Sequence, residues 1–246
     1  MTPRPDRAAL RAHLHRDGFA FVTADTMRQL LSMQDMGDWA AFVASWNDLA
    51  PDTYLAALGR HRRRRHATFT IERDGAIRRE PHQPHWQSSL YNPLQGDIQR
   101  WFLPMRPALA SGASMDCILR FVHALFAPMK AGGPRRWHVE AHQFRIEART
   151  DEPGEPTPEG VHRDGVDYVL VLLVDRLNIE RGTTTIHAGD GGLLGSFTLA
   201  RPFDAALVDD ARVCHGVTAV TPIDPQQPAH RDVLVVTLKA IEPPAG

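Results

Sequence analysis

The chain has 246 residues, 43% of them apolar and 23% charged, the make-up of a globular protein with a sizeable core. Twenty-eight Lys and Arg against 29 Asp and Glu leave a net charge of −1, which excludes a protein whose main task is to coat nucleic acid or an anionic membrane. Two cysteines, Cys117 and Cys214, cannot build a disulfide framework, and the 13 histidines raise the question of a metal.

The longest apolar run, Tyr168 to Val174, is far shorter than the about 20 residues that cross a bilayer. The first seven residues lack the apolar stretch of a leader, so a reduced cytoplasm is the expected setting. Along the chain, Gly18–Val22 and Ala67–Ile71 read as short strands. Trp39, Phe42, Val43 and Trp46 recur at helical spacing, as do Ile118, Phe121, Val122, Leu125 and Phe126. Pro128 and Gly132-Gly133-Pro134 stop the second helix. The intervening stretch from Pro81 to Pro93 is irregular. Beyond Pro134, short β-branched and aromatic runs alternate with turns: Trp137–Ala148, Val166–Val174, Thr183–His187, Ser196–Leu199, Ala205–Val208, Val213–Val220 and Val233–Ala240. Such a series predicts an antiparallel sandwich or jelly roll. The run Tyr168–Val174 is apolar on both faces, so one face is expected to line a barrel and the other to be covered by the N-terminal helices. The expected organisation is one catalytic domain, mainly β with flanking helices: residues 1–134 a largely helical buttress, 135–243 the β core.

The sharpest chemical feature is Gly160-Val-His162-Arg-Asp164-Gly165. Residues two apart in an extended chain point to one side, so His162 and Asp164 can present an imidazole and a carboxylate to one point. A lone His-x-Asp arises often by chance, and a solvated polar turn is the competing reading. A second short strand, Val213-Cys-His215-Gly-Val217, carries a histidine that shares its face with two valines and therefore points inward. Two histidines and one carboxylate are the facial donor set of non-haem iron(II) oxygenases, with zinc as the competing metal. Arg231 opens the last strand sixteen positions after His215, where a guanidinium can grip a diacid through two parallel hydrogen bonds.

His162-x-Asp164, then His215, then Arg231 on the final strand resembles the layout of iron(II)/2-oxoglutarate-dependent dioxygenases. The segments His142–Ile146, Pro158–Gly165, Leu177–Glu180, Leu207–Asp210, Val213–Val217 and Arg231–Thr237 are similar to the bacterial subgroup that includes L-isoleucine 4-hydroxylase and related free L-amino acid hydroxylases. That resemblance implies a double-stranded β-helix core of the jelly-roll or cupin-like type. It also implies Fe(II) held by His162, Asp164 and His215, with 2-oxoglutarate and dioxygen as co-substrates and Arg231 on the distal carboxylate. Many relatives carry a serine two positions after that arginine, where this chain has Val233, so the second donor is expected among Tyr168, Thr185 and Thr237. Glu180-Arg181 also stands where a turn glycine is expected.

For the substrate, Gln143 and Arg145 share a strand face and are candidates for inward-facing donors, with Arg145 meeting an amino acid carboxylate and Glu159 an ammonium. The competing reading is a solvent-facing strand with paired charges. The proline-rich segment 150–159 is expected to form a semi-rigid flap over the entrance. The run His61–His66 reads as a solvated loop or ion-pair face, and His82, His85 and His187 as loop residues rather than ligands. The reaction expected is hydroxylation of a small polar molecule with release of succinate and carbon dioxide. The alternatives are a zinc or manganese cupin-like isomerase or hydrolase of an acidic molecule, and a non-catalytic sensor that holds its ligand without turnover. The expected partner is a small molecule, not nucleic acid or membrane, and a homo-oligomer is compatible with the sequence.

Overall fold

The structure, a computed structural model, describes residues 6–56, 62–130 and 132–241. The expectations that touch residues 1–5, His61 and 242–243 lie outside the described residues. Six α-helices are described: α1 Arg7–Asp17, α2 Ala24–Leu30, α3 Trp39–Ala44, α4 Thr53–Ala56, α5 Pro107–Ala110 and α6 Ala113–Phe126. The strands are β1 Phe19–Val22, β2 Ala50–Pro51, β3 Arg62–Glu72, β4 Ile77–Arg79, β5 Arg136–Glu147, β6 Tyr168–Leu177 and β7 Ile179–Arg181. After them come β8 Thr183–His187, β9 Leu193–Thr198, β10 Ala205–Asp209, β11 Cys214–Val217, β12 Val220–Pro222 and β13 His230–Ile241.

One antiparallel sheet runs β1-β10-β6-β13-β5-β3-β2, with β4 added on β3. The second layer consists of β11-β8-β9 and the pair β12-β7. This is a jelly roll, mainly β with flanking helices. The run from Tyr168 is apolar on both faces because both faces are covered. Tyr168, Leu170, Leu172 and Val174 join the core beneath the helices with Phe42, Trp46, Phe121 and Phe126. Val169 and Leu173 instead pack against residues of the second layer such as Ile186, Ile179 and Val220.

Helix α6 buries Ile118, Phe121, Val122, Leu125 and Phe126 on one stripe, the spacing that its sequence shows. By length and composition Pro107–Met129 could cross a membrane, but its apolar face is spent on this core. Its first-turn donors are satisfied from a distance, since Asp38 accepts from the Ser114 N–H at 2.7 Å and from its hydroxyl at 2.5 Å. Helix α1 ends at Gly18, which takes φ 80° while its N–H donates to the Leu14 carbonyl. An added Cβ there would lie 2.7 Å from Val213, so glycine is required on two counts.

The first half is more than a helical buttress. Strand β3 pairs with β5 over its whole length, from Arg62 opposite Ile146 to Glu72 opposite Arg136. The arginine run, expected to be a solvated loop or an ion-pair face, is therefore part of the main sheet, and its outward side chains make the ion-pair face. Its alternation sorts the charges: Arg63 and Arg65 point away from the interior and pair with Glu147 and Asp48, at 2.7 and 3.1 Å. Arg62, Arg64 and His66 point to the other side, into the space between the layers.

Candidate active site

The metal-ligand candidates meet across a single β-bridge. The N–H of His162 donates to the His215 carbonyl at 2.9 Å, and that of His215 returns the bond at 2.8 Å. Their rings lie 4.7 Å apart. Asp164 places Oδ1 3.6 Å from His162 Nε2 and Oδ2 3.7 Å from His215 Nε2. One donor atom from each residue falls within 4.8 Å of the others, the compass of one ion. The turn that aims Asp164 hangs on Asp210, whose carboxylate accepts the N–H groups of Asp164, Gly165 and Val166 at 2.9, 2.8 and 3.1 Å. Gly165 has φ 79°, and the Tyr91 ring packs where a Cβ would stand.

Because the Gly160 carbonyl can only accept, His162 Nδ1 carries the hydrogen of their 3.0 Å bond, which leaves Nε2 to face Asp164. Burial opposes a charge on His162, but the hydrogen bond and charge of Asp164, with Glu159 3.3 Å away, raise it to about 9. Burial works against the Asp164 carboxylate as well, and the two imidazoles hold it below the ordinary carboxylate range. His215 is pushed down to about 4 by burial. One carboxylate, one imidazole kept neutral and one imidazole whose extra proton a cation would displace form a donor set ready for a divalent metal.

These residues line a cavity of about 440 Å³ between the layers. Its inner wall is apolar, with Val171, Ala206, Val208, Val217, Val233 and Val235. Arg231 also lines it, 2% exposed, with Nε and Nη2 lacking any hydrogen-bond partner. Burial and the nearby Arg176 bring this guanidinium down to about 10. A buried cation with free donors is costly unless an anion completes it, so the site fits a carboxylate co-substrate beside the metal.

Thr237 and Glu159 line the same cavity as the triad and Arg231. Four other sequence candidates do not. The Tyr168 ring stacks on Phe126 at 4.6 Å in the helix-side core, because even positions of β6 face the helices. Thr185 lies on the outer side of β8, and its neighbour Thr184 is the buried threonine that lines the cavity. Gln143 donates to the Ser45 hydroxyl at 2.8 Å, and Arg145 grips Asp232 through two bonds at 2.8 and 2.7 Å. Both belong to the helix side of β5, since Trp137, Val139 and Ala141 commit that face to the core. The opposite face, His138, Glu140, His142, Phe144 and Ile146, is the one that lines the cavity. The segment 150–159 is tied down by Gly154, which pairs with Val220 at 2.9 and 2.8 Å, and its last four residues line the cavity.

The polar end of the cavity went unread in the sequence. Glu140 is surrounded by His85 at 2.5 Å, His142 at 3.2 Å and His138 at 3.5 Å, and His66 lies 3.8 Å away. Gln87 accepts from Arg100 at 2.8 Å and donates to Asp164, 3.3 Å to its carbonyl and 3.4 Å to Oδ1. A signal existed: extending the strand at Ala67 back by five residues puts Arg62, Arg64 and His66 on one face.

Residues 43–237 match the 2OG-Fe dioxygenase family. The chain is 25% identical over 238 residues to the 3(1)-hydroxy-L-isoleucine 4-dioxygenase of Pantoea ananatis (strain AJ13355), covering 94% of this chain and 95% of that one. The crystal structure of a bsmA homolog from Methylobium petroleophilum PM1 superposes with a TM-score of 0.87 at 35% identity, covering 100% of this chain and 98% of the other. IDO from Bacillus thuringiensis shares the fold, with a TM-score of 0.77 at 17% identity over 98% and 99% of the two chains. These matches decide against the isomerase, hydrolase and sensor alternatives. The chain belongs to the 2OG-Fe dioxygenase family: it is an oxidoreductase that uses Fe(II), 2-oxoglutarate and dioxygen.

Proposed function

We propose that the protein hydroxylates a free L-amino acid, with Fe(II) held by His162, Asp164 and His215 and the distal carboxylate of 2-oxoglutarate held by Arg231. The observation that carries the site assignment is the convergence of the three donor atoms within 4.8 Å beside a buried guanidinium with two unused donor atoms. The amino acid reading rests on the printed activity of the Pantoea ananatis relative and on a cavity of about 440 Å³, room for a small co-substrate pair. With iron, 2-oxoglutarate and dioxygen bound, oxidative decarboxylation to succinate and carbon dioxide supplies the oxidising power that places one oxygen atom on a substrate C–H bond.

The chain's own contribution is orientation and exclusion of water. Gly160 fixes the His162 tautomer, Asp210 fixes the turn that carries Asp164, and the β-bridge sets His215 opposite. Thr184 and Thr237 bring hydroxyls to the wall that Arg231 shares, where Val233 has none to offer. The valines on the inner wall keep the reacting centre dry, which strengthens each charge interaction. The two free cysteines suit the cytoplasm, a reducing compartment in which ferrous iron persists.

The direct test supplies iron, ascorbate and 2-oxoglutarate with a panel of L-amino acids and follows succinate and a product 16 Da heavier than the substrate. Amino-acid-dependent succinate release with a matching hydroxylated product is the expected result. Turnover of 2-oxoglutarate that no free amino acid stimulates would remove the substrate half of the proposal and leave the dioxygenase.

A further inference from the structure

Besides Arg231, the cavity is lined by three further arginines and by Glu140, and their partners differ. Arg62 donates twice to Asp52, at 3.1 and 2.7 Å, and Arg64 lies 3.6 Å from the same carboxylate, so these two guanidinium groups share one anion. Arg100 is 2% exposed and meets only amide oxygens, Gln95 at 2.8 Å and Gln87 at 2.8 Å, while its Nε has no partner. Among the described residues no carboxylate lies within 4 Å of it. Glu140 is 9% exposed, and its contacts are imidazoles, none of which carries a fixed charge. Besides Arg231, Asp164 and Glu159, the cavity thus contains one guanidinium and one carboxylate, Arg100 and Glu140, whose direct partners are not of opposite fixed charge, an arrangement that costs stability until a ligand completes it.

Both charges are anchored to one place. His85 and Arg100 exchange backbone hydrogen bonds at 2.9 Å in each direction, and the His85 side chain reaches Glu140. Gln87, two residues on, links Arg100 to Asp164. A molecule seated between Arg100 and Glu140 is therefore one side chain away from the metal carboxylate.

The histidines around Glu140 could in principle form a second metal site. The tautomer of His142 takes that residue out of it, and the metal count in the test below decides for His66, His85 and Glu140. Arg64, which can only donate, places Nη2 2.7 Å from His142 Nδ1, so Nδ1 accepts and Nε2 carries the hydrogen that goes to Glu140. An imidazole with both nitrogens engaged in this way has no lone pair for an ion.

We infer that Arg100 and Glu140 form a cradle for the zwitterionic backbone of an α-amino acid, carboxylate on Arg100 and ammonium on Glu140. The inference rests on the free amino acid reading above and assigns the residues that enforce it. A dicarboxylate would meet Glu140 repulsively, and an uncharged molecule would leave both charges buried without a partner.

The test uses the iron-loaded full chain with 2-oxoglutarate and compares L-leucine, L-isoleucine and L-methionine with the amide and the N-acetyl derivative of each, by half-saturation of stimulated succinate release. The amide lacks the carboxylate and the N-acetyl form lacks the ammonium. For the wild type, the free acid saturates at a concentration at least about tenfold lower than either derivative, the value of one charge-assisted bond. Arg100→Gln brings the acid-to-amide ratio to within about twofold of unity and leaves discrimination against the N-acetyl form; Glu140→Gln does the reverse. Each ratio is taken within one protein, so changes in iron content cancel. If either variant fails to fold, Arg100→Lys and Glu140→Asp decide, each expected to shrink only its own ratio. Stimulation by free amino acids with ratios that do not respond in this crossed way overturns the cradle alone, as does a second tightly bound metal equivalent. Absence of stimulation by any free amino acid overturns the substrate reading with it.

Discussion

The metal end of the cavity is assembled from one short stretch, Gly160–Gly165, and one strand, β11, that face each other across a single bridge. The polar end draws on β3, β5 and the irregular chain between Pro84 and Arg100. At the metal end, spacing two along an extended segment aims the ligands, and Asp210 fastens the turn with three backbone bonds. At the polar end, position is set by long-range contacts such as Arg64 to His142 and His85 to Glu140, 78 and 55 residues apart in sequence. A metal site needs donors and a common point. A recognition site needs buried charges held apart, which takes more chain.

Substitutions at the metal end carry the largest expected effects. Asp164→Ala removes a proposed ligand and is expected to cut succinate release by more than about a hundredfold, since loss of partners outside the ligand shell alone costs about 10–100-fold. Metal content measured beside turnover checks it, and an iron-replete, active variant would break the assignment. Arg231→Gln is expected to raise half-saturation for 2-oxoglutarate by about a hundredfold at little change in iron content, the loss of a paired charge in a buried site. Gln87→Leu joins the two ends: it removes a bond to Asp164 and one to Arg100, so iron affinity is expected to fall about tenfold while half-saturation for the amino acid also rises.

Acid tests the polar end by stability instead of turnover. Burial pushes His66 down to about 3, and its two ring nitrogens have no hydrogen-bond partner. The unfolded chain takes up a proton near 6.5, whereas the folded chain does not until about 3. Stability is therefore lost as pH falls through that window, by about 1.4 kcal/mol per unit for this one group. Unfolding free energies of the metal-free protein from urea titrations at pH 6.5 and 5 are expected to differ by about 2 kcal/mol less in His66→Gln than in the wild type. The smallest effects belong to the threonine and tyrosine candidates. Tyr168→Phe and Thr185→Val are expected to leave half-saturation for 2-oxoglutarate within about twofold, whereas Thr184→Val raises it by about threefold to tenfold.

How far the site was legible follows from the same contrast. His162, Asp164, His215 and Arg231 were readable as a group through the resemblance to the dioxygenase layout, and local geometry added which way His162, Asp164 and His215 point. Gln143 and Arg145 were misassigned because β5 is buried on both faces, and strand alternation alone does not say which face meets helices and which meets a ligand. The usual expectation of an apolar interior misleads here, since the cavity-lining face of β5 carries His138, Glu140 and His142. Arg62 and Arg64 were hidden by a run of four arginines that reads as solvated until the strand is extended through it. His85 and Arg100 had no signal, because the bridge that joins them spans an irregular loop.

The sequence by itself determined the β-rich second half, the amphipathic helices and the two-residue pairing of His162 with Asp164, because periodicity and spacing act within a few residues of chain. Only the tertiary structure decided which face of β5 lines the cavity, that Asp38 would close the start of α6, and that Arg100 and Glu140 would share a pocket. Those outcomes depend on which distant surface covers each side chain and on where a buried charge finds a partner, and neither quantity is encoded locally.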